Sequence, residues 1–278
     1  WTPTVTDKEG NKLTEGTDYT VSYDTENFVD VKTITVTITG KGNYSGSVTR
    51  IYRITPKPAT VTADDKSKVY GDADPKLTAT ESGLLGTDKV TYTLSREAGE
   101  EEGTYAITPS GEETQGNYTV TYNPGTLTIT AQSIVPDDPS YRGVTVDDPR
   151  DHEYDAQEHK WTPTVTDKEG NKLTEGTDYT VSYDTDNFVD VKTITVTITG
   201  KGNYSGSVTR TYRITPASAT VTADNKSKMF GEADPELTAD VSGLYGTDKV
   251  EYTLSREPGE NVGDYAITAS GEADQGNY

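Results

Sequence analysis

The chain carries two imidazoles, His152 and His159, and no cysteine. An imidazole can activate a serine or hold a metal, but either task needs partners at fixed positions around it. Both histidines fall in one stretch of the chain, and no Ser/His/Asp or Cys/His constellation recurs with the sequence repeat described below. Acidic pairs are the next candidates: Asp64 with Asp65, Asp72 with Asp74, Asp137 with Asp138 and Asp147 with Asp148. Calcium takes about six to eight oxygen ligands from such clusters. None of these pairs sits in an EF-hand loop or a glycine-aspartate nonapeptide, and the expectation is solvated loop acids, with no metal site and no cofactor. A lysine beside an asparagine or aspartate, helped by a buried carboxylate, could close an isopeptide staple, yet no spacing singles out a trio. Asn43, Asn117, Asn203 and Asn225 begin glycosylation sequons and read as ordinary turn asparagines.

Composition narrows the classes further. Of 278 residues only 31% are hydrophobic, the mean hydropathy is −0.74 and the formal charge is −21, with a pI near 4.4. Such acidity opposes nucleic-acid binding, which draws its affinity from Lys and Arg set against phosphates, and opposes unaided binding to anionic lipid. It favours solubility and repulsion between crowded chains. The absence of cysteine removes a disulfide framework, and disulfide-free secreted proteins of this size are typical of bacterial surfaces. There is no apolar run of transmembrane length and no signal peptide in the sequence.

The central feature is a repeat. Residues 1–118 return as residues 161–278 with 20 differences and 98 identities. A near-copy of this kind marks an array, in which length grows by adding units. The texture of the 160-residue period changes at Pro56 and near Ser133, dividing it into an A and a B segment. The expected domains are 1–56 (A, without its opening strand), 57–132 (B), 133–216 (A, complete) and 217–278 (B, without its last strands). The first A has no counterpart of residues 133–160, and the last B has none of residues 119–132.

Alternation predicts strands throughout. In Lys32 to Thr39, Ile34, Val36 and Ile38 share one face and threonines the other, the pattern of a half-buried strand. The same phase runs through Tyr19, Val21, Tyr23; Val90, Tyr92, Leu94; Tyr105, Ile107; and Tyr118, Val120, Tyr122, with Gly, Asn and Pro turns between them. Only a single helical turn around Leu84 and Leu85 is compatible with helix. The two copies check the phase: Ile51 becomes Thr211, Thr91 becomes Glu251 and Thr104 becomes Asp264, all out of phase with their apolar neighbours. Val69 to Met229 and Tyr70 to Phe230 keep apolar bulk, which predicts burial. Nineteen tyrosines against three Phe and two Trp predict rings that fill thin cores while their hydroxyls reach water or backbone. A sugar-stacking platform is the sharper alternative.

The A-to-B passage around Thr55, Pro56 and Pro58 has no flexible spacer, and proline restrains both itself and the residue before it. At about 3.3 Å per strand residue a module is on the order of 30 Å long, and four stiffly joined in series would form a rod exceeding about 100 Å.

Val69 to Pro75, Leu94 to Glu97, Gly103 to Ile107 and Asn123 to Ile129 together resemble the tyrosine-glycine form of the MBG repeats of bacterial surface proteins. Tyr154 to Lys160, Glu175 to Tyr183 and Ile198 to Tyr204 resemble the companion repeats that usually open Tyr-Asp-Gly, with Ala156 in the place of that glycine. The resemblance implies repeats of long wall-attached adhesins, some of them mucus-binding, and brings no catalytic residues. The fold expected is all-β, tandem Ig-like sandwiches, with β-grasp modules as the alternative. The function expected is a noncatalytic extracellular stalk that displays a distal binding domain; the alternative is that the repeats themselves bind mucin glycans or a host protein. The chain is expected to be a monomer, with strand pairing between copies confined to the open ends, and without insertion into a membrane.

Overall fold

Threonine alternating with Ile, Val and Leu gives a chain that can bury one face of a ribbon and wet the other, and sheets built that way are the whole architecture. A computed structural model describes residues 1–278; it is all-β, without α-helix, and falls into two compact units. The first comprises Trp1–Lys68 with Asp72–Thr130, and the second Val69–Gly71 with Ala131–Tyr278.

In the first unit β1 (Tyr19–Tyr23), β2 (Lys32–Gly40) and β3 (Ser47–Ile54) form an antiparallel sheet in that order. Ile34 and Val36 of β2 are fully buried, on the face that the alternation assigned to them. Two residues separate β3 from β4 (Lys57–Ala63), which is followed by β5 (Lys66–Val69), β6 (Ala79–Ser82), β7 (Thr93–Arg96), β8 (Gly103–Ser110), β9 (Thr114–Gln115), β10 (Tyr118–Asn123) and β11 (Gly125–Thr130). These make two four-stranded sheets, β6-β4-β10-β9 and β5-β11-β8-β7. Their first and last long strands, β4 and β10, run parallel from the pair Lys57–Tyr118 to Thr62–Asn123. Ala59, Val61 and Val120 on one sheet and Ile107, Leu127 and Ile129 on the other are buried, as the inner faces of a sandwich require.

The second unit begins with three short strands, β12 (Gln132–Ser133), β13 (Thr145–Val146) and β14 (His152–Glu153), then β15 (Val165–Thr166), β16 (Tyr179–Tyr183), β17 (Lys192–Gly200), β18 (Tyr204–Ser205) and β19 (Ser207–Thr215). Its main sheet has the order β14-β19-β17-β16, and β12-β18 and β13-β15 are small flanking pairs. The remainder holds β20 (Thr220–Ala223), β21 (Ala239–Ser242), β22 (Thr253–Arg256) and β23 (Ile267–Ser270), paired β20-β21 and β22-β23.

Three expectations are corrected. A β-grasp module requires a helix packed on its sheet, and none exists; Leu84 and Leu85 lie in a turn region. The run from Val90 to Leu94 enters a strand only at Thr93, although Val90 is buried. Met229 and Phe230 are 71% and 76% exposed, because the stretch matching β5 forms no strand there and is paired with none.

Candidate functional site

The side chains with most chemical potential gather in two repeated clusters and one single cluster. Lys68 at the end of β5 has a nearly covered side chain and donates to Asp74 Oδ1 at 2.7 Å and to Glu100 Oε2. Arg96 on β7 closes the ring, its Nε 2.8 Å from Asp74 and its Nη2 on Glu100. The guanidinium also lies over the Tyr105 ring, 5.8 Å from the centroid. The second copy reproduces the arrangement with Lys228, Asp234, Arg256, Glu260 and Tyr265, the four charged pairs lying at 2.6–2.8 Å. Gly99 makes room for Tyr105: its φ is +149°, and a Cβ there would collide with the tyrosine ring.

A lysine, an aspartate and a glutamate in contact are the trio that an isopeptide bond would use, and sequence spacing had not revealed them. Amide formation needs a neutral amine and a protonated acid. Here burial pulls Lys68 toward neutrality, but its hydrogen bonds to Asp74 and Glu100 outweigh it and raise its pKa. Arg96 first, and Lys68 second, hold Asp74 below the usual carboxylate range, and the matching partners lower Asp234 to about 2. The electrostatics of both clusters favour ion pairs over condensation, so their geometry serves to staple loops to strands.

The single cluster surrounds the histidines. Their rings stack 4.3 Å apart, and His159 Nε2 lies 2.8 Å from Asp155 Oδ1. The His159 backbone donates to Phe188 O and accepts the Tyr212 hydroxyl at 2.7 Å, which makes the residue part of a lid over the sheet of the second unit. Beside it Tyr154 and Tyr278 both donate to Asp248 Oδ2, at 2.7 and 2.8 Å. The Asp248 carboxylate raises the Tyr154 pKa to about 12.

The acidic pairs separate into individual hydrogen bonds. Asp64 accepts from Thr78 and Thr80, Asp65 from Thr126, Asp138 from Ser140 and Asp147 from the Thr164 N–H, while Asp148 pairs with Arg210. Asp74 is held in the ion cluster, and no group of three or more His, Asp or Glu side chains is placed to hold a metal ion. Tyr212 buries its ring and Tyr183 and Tyr141 half-bury theirs, and the three donate to the backbone oxygens of His159, Trp161 and Val144.

Sequence reasoning missed the residues that bind A to B. Asn117, read as a turn residue, accepts the Val31 N–H on Oδ1 at 2.8 Å and donates from Nδ2 to Asp30 at 2.9 Å. Its backbone O accepts the Lys57 N–H where β4 begins. Asn277 does the same with Val191, Asp190 and Ala217. One amide thus ties the loop at Asp30 and Val31 to the start of β4, and Asn277 ties Asp190 and Val191 to Ala217 in the second unit. The asparagine and its aspartate partner are unchanged between the copies, but so is most of the sequence, and that signal was too diffuse to read.

No helix of the chain is long and apolar enough to cross a membrane. No curated protein matches the chain. Among solved structures, a Drosophila N-cadherin fragment (EC1-4) is similar at 10% identity over 91% of this chain and 83% of that one; its TM-score of 0.25 is too low to inform the fold or a partner. The tyrosine-glycine motif and the strands that follow it point to one family, and residues 59–128 and 219–278 each match the MBG domain (YGX type), two matches consistent with a repeat of that domain.

Proposed function

We propose that the chain is a spacer segment of a bacterial surface adhesin, outside the cell and anchored through the parent protein to the cell wall, holding a binding domain at a distance. On this reading it comprises four modules, 1–56, 57–132, 133–216 and 217–278, without catalytic residues. The observation that carries the proposal is the duplicated asparagine joint: Asn117 and Asn277 lock A to B by the same three hydrogen bonds. A spacer needs such a joint in every unit, whereas a ligand site needs only one good copy. The MBG matches support a surface-protein repeat, and the charge of −21 suits a crowded, hydrated layer.

The deciding experiment passes the chain over immobilised mucin and a glycan array at physiological salt. A spacer is not retained on either. Saturable retention would move the function to the repeats themselves as mucin-glycan or host-protein binders, with multivalency as their advantage.

A further inference from the structure

Residues 152–160 carry both histidines and fold them back on each other. β14 lays His152 beside Ile214 of β19, where the His152 O accepts the Thr215 hydroxyl at 3.2 Å. The chain then turns at Ala156 and returns, so that the His159 ring stacks on the His152 ring with centroids 4.3 Å apart and planes within 16° of parallel. The φ of 60° at Ala156 is a conformation that an L-residue keeps only where its surroundings hold it. The holding contacts lie at His159: its N–H donates to Phe188 O at 2.8 Å, and its O accepts the Tyr212 hydroxyl at 2.7 Å. Both of these partners are buried.

Imidazole is the side chain whose charge changes between about pH 8 and pH 5. One proton suits this stack. His159 Nε2 lies 2.8 Å from Asp155 Oδ1, and that carboxyl is held below the usual carboxylate range by the Gln157 N–H first and His159 next, so a negative charge stands beside one ring. Two protons do not suit it. They set two cations 4.3 Å apart against one carboxylate, with the His159 side chain only 16% exposed and poorly screened by water. The surrounding charges do not relieve the pair. On the same segment Asp151 accepts the Arg213 N–H, Glu153 and Glu158 are exposed, and Lys160 lies over the Tyr183 and Phe188 rings as a further cation. From β19 comes Arg213, exposed, and from β17 comes Lys192, whose Nζ is on Thr185. In the loop that holds Phe188, Asp184 accepts the Thr195 N–H, Asp190 takes the Asn187 and Asn277 amides, and Asp186 is exposed. Asp155 alone lies within ion-pair distance of an imidazole.

We propose that the His152–His159 stack is a proton-operated clasp on the segment 152–160: it stays closed with one proton and opens when the second arrives, and His159 then leaves Phe188 and Tyr212. The open state binds one proton more than the closed state, so acid favours opening. The clasp is therefore closed near neutral pH and released as the pH falls through the imidazole range. Opening bares the rings of Phe188 and Tyr212, an aromatic surface presented only in acid. The clasp does not depend on the spacer reading, since a mucin-binding repeat would carry the same pair of rings.

The test follows the full 278-residue chain by NMR from pH 7.5 to pH 5, reading the amide protection factor of His159 and the ring proton shifts of both histidines. One extra proton in the open state changes the opening constant by up to about tenfold per pH unit, so the His159 protection factor should fall by at least about tenfold over this range. The ring shifts that stacking produces should disappear in step with it, while protection at Val196, fully buried in the centre of the sheet, stays constant. His152→Phe keeps a flat ring for stacking and takes up no proton. The His152 side chain is exposed, so this change leaves the fold intact, and His159 should then remain protected at pH 5. The proposal is overturned if His159 protection does not change with pH, if His152→Phe loses it in acid as the wild type does, or if Val196 loses protection together with His159. Rings that keep their stacking shifts at pH 5 would overturn it too.

Discussion

Asn277 Oδ1 accepts the backbone N–H of Val191 at 2.9 Å across 86 residues of chain, and Asn117 holds Val31 in the same way at 2.8 Å. A single side-chain amide therefore holds the loop at Val191, and Asn277→Ala leaves the half-buried Val191 N–H without its acceptor. The expected cost is about 1–2 kcal/mol, the usual penalty for stranding a buried donor. Denaturant unfolding together with faster amide exchange at Val191 would register it. Asn277→Asp keeps an acceptor but sets a carboxylate against Asp190, and it should also destabilise. If Asn277→Ala changes neither stability nor exchange, the joint is held by something else.

Ala156 is the one non-glycine residue with positive φ, at 60°. A turn conformation that favours glycine is held here by an alanine, with Asp155 accepting the Gln157 N–H at 2.9 Å. The left-handed conformation costs an L-residue roughly 1–2 kcal/mol, and the extra chain entropy of glycine returns about 0.5–1 kcal/mol of that. Ala156→Gly should thus stabilise the second unit by about 0.5–1 kcal/mol, read as a higher denaturant midpoint with unchanged slope. A lower midpoint would mean that the alanine methyl makes a contact worth more than the strain.

Period-two patterning was legible because each strand carries its own record: Ile34 and Val36, or Leu127 and Ile129, alternate with threonine whatever their distant partners are. What the pattern does not hold is the identity of those partners. Lys68 with Asp74 and Arg96 with Glu100 fall in two separate stretches, and in a chain with 46 acidic residues no single carboxylate announces itself. Met229 and Phe230 were misplaced for the same reason. Their type was read correctly as apolar, but burial depends on a pairing partner, and the stretch that holds them is paired with no strand. Local chemistry thus predicts which face of a strand is apolar, and tertiary pairing decides whether that face is covered.

The ion clusters should make the second unit lose stability in acid within a defined window. An aspartate ordinarily titrates at 3.8, and Asp234 is held at about 2, by Arg256 first and Lys228 next. Its folded pKa is depressed, so its contribution is fully present above about pH 4 and drains away as the pH falls toward 2. Denaturant midpoints at pH 5 and pH 2.5 test this against Arg256→Gln, which removes the leading cause. The gap between wild type and variant should be open at pH 5 and clearly narrower at pH 2.5. It should also narrow in high salt, because Asp234 is 44% exposed and the pairs are screened. A gap that stays constant with pH would show that Arg256 acts through packing on Tyr265 and not through charge.

The duplicated chain offers a direct measurement of what β10 and β11 contribute, through Val61 and Val221. The two valines occupy the same repeat position and have the same neighbours in sequence, and each lies on a strand paired with its own β6-type partner. Val61 is completely buried because β10 closes the other edge of β4 and Val120 packs beside it. Val221 is half-buried, with no strand on that edge. Removing two methyl groups from a closed core forfeits their transfer energy and leaves a cavity, so Val61→Ala should cost about 2–3 kcal/mol. At Val221 solvent already reaches the side chain and fills the gap, and the expected cost falls to about 1 kcal/mol or less. Unit-resolved amide exchange, following Val61 and Val221 separately in each single variant, distinguishes the two values within one molecule. Equal costs would mean that the inner face of β20 is as well covered as that of β4, and that β10 contributes little to the burial of Val61.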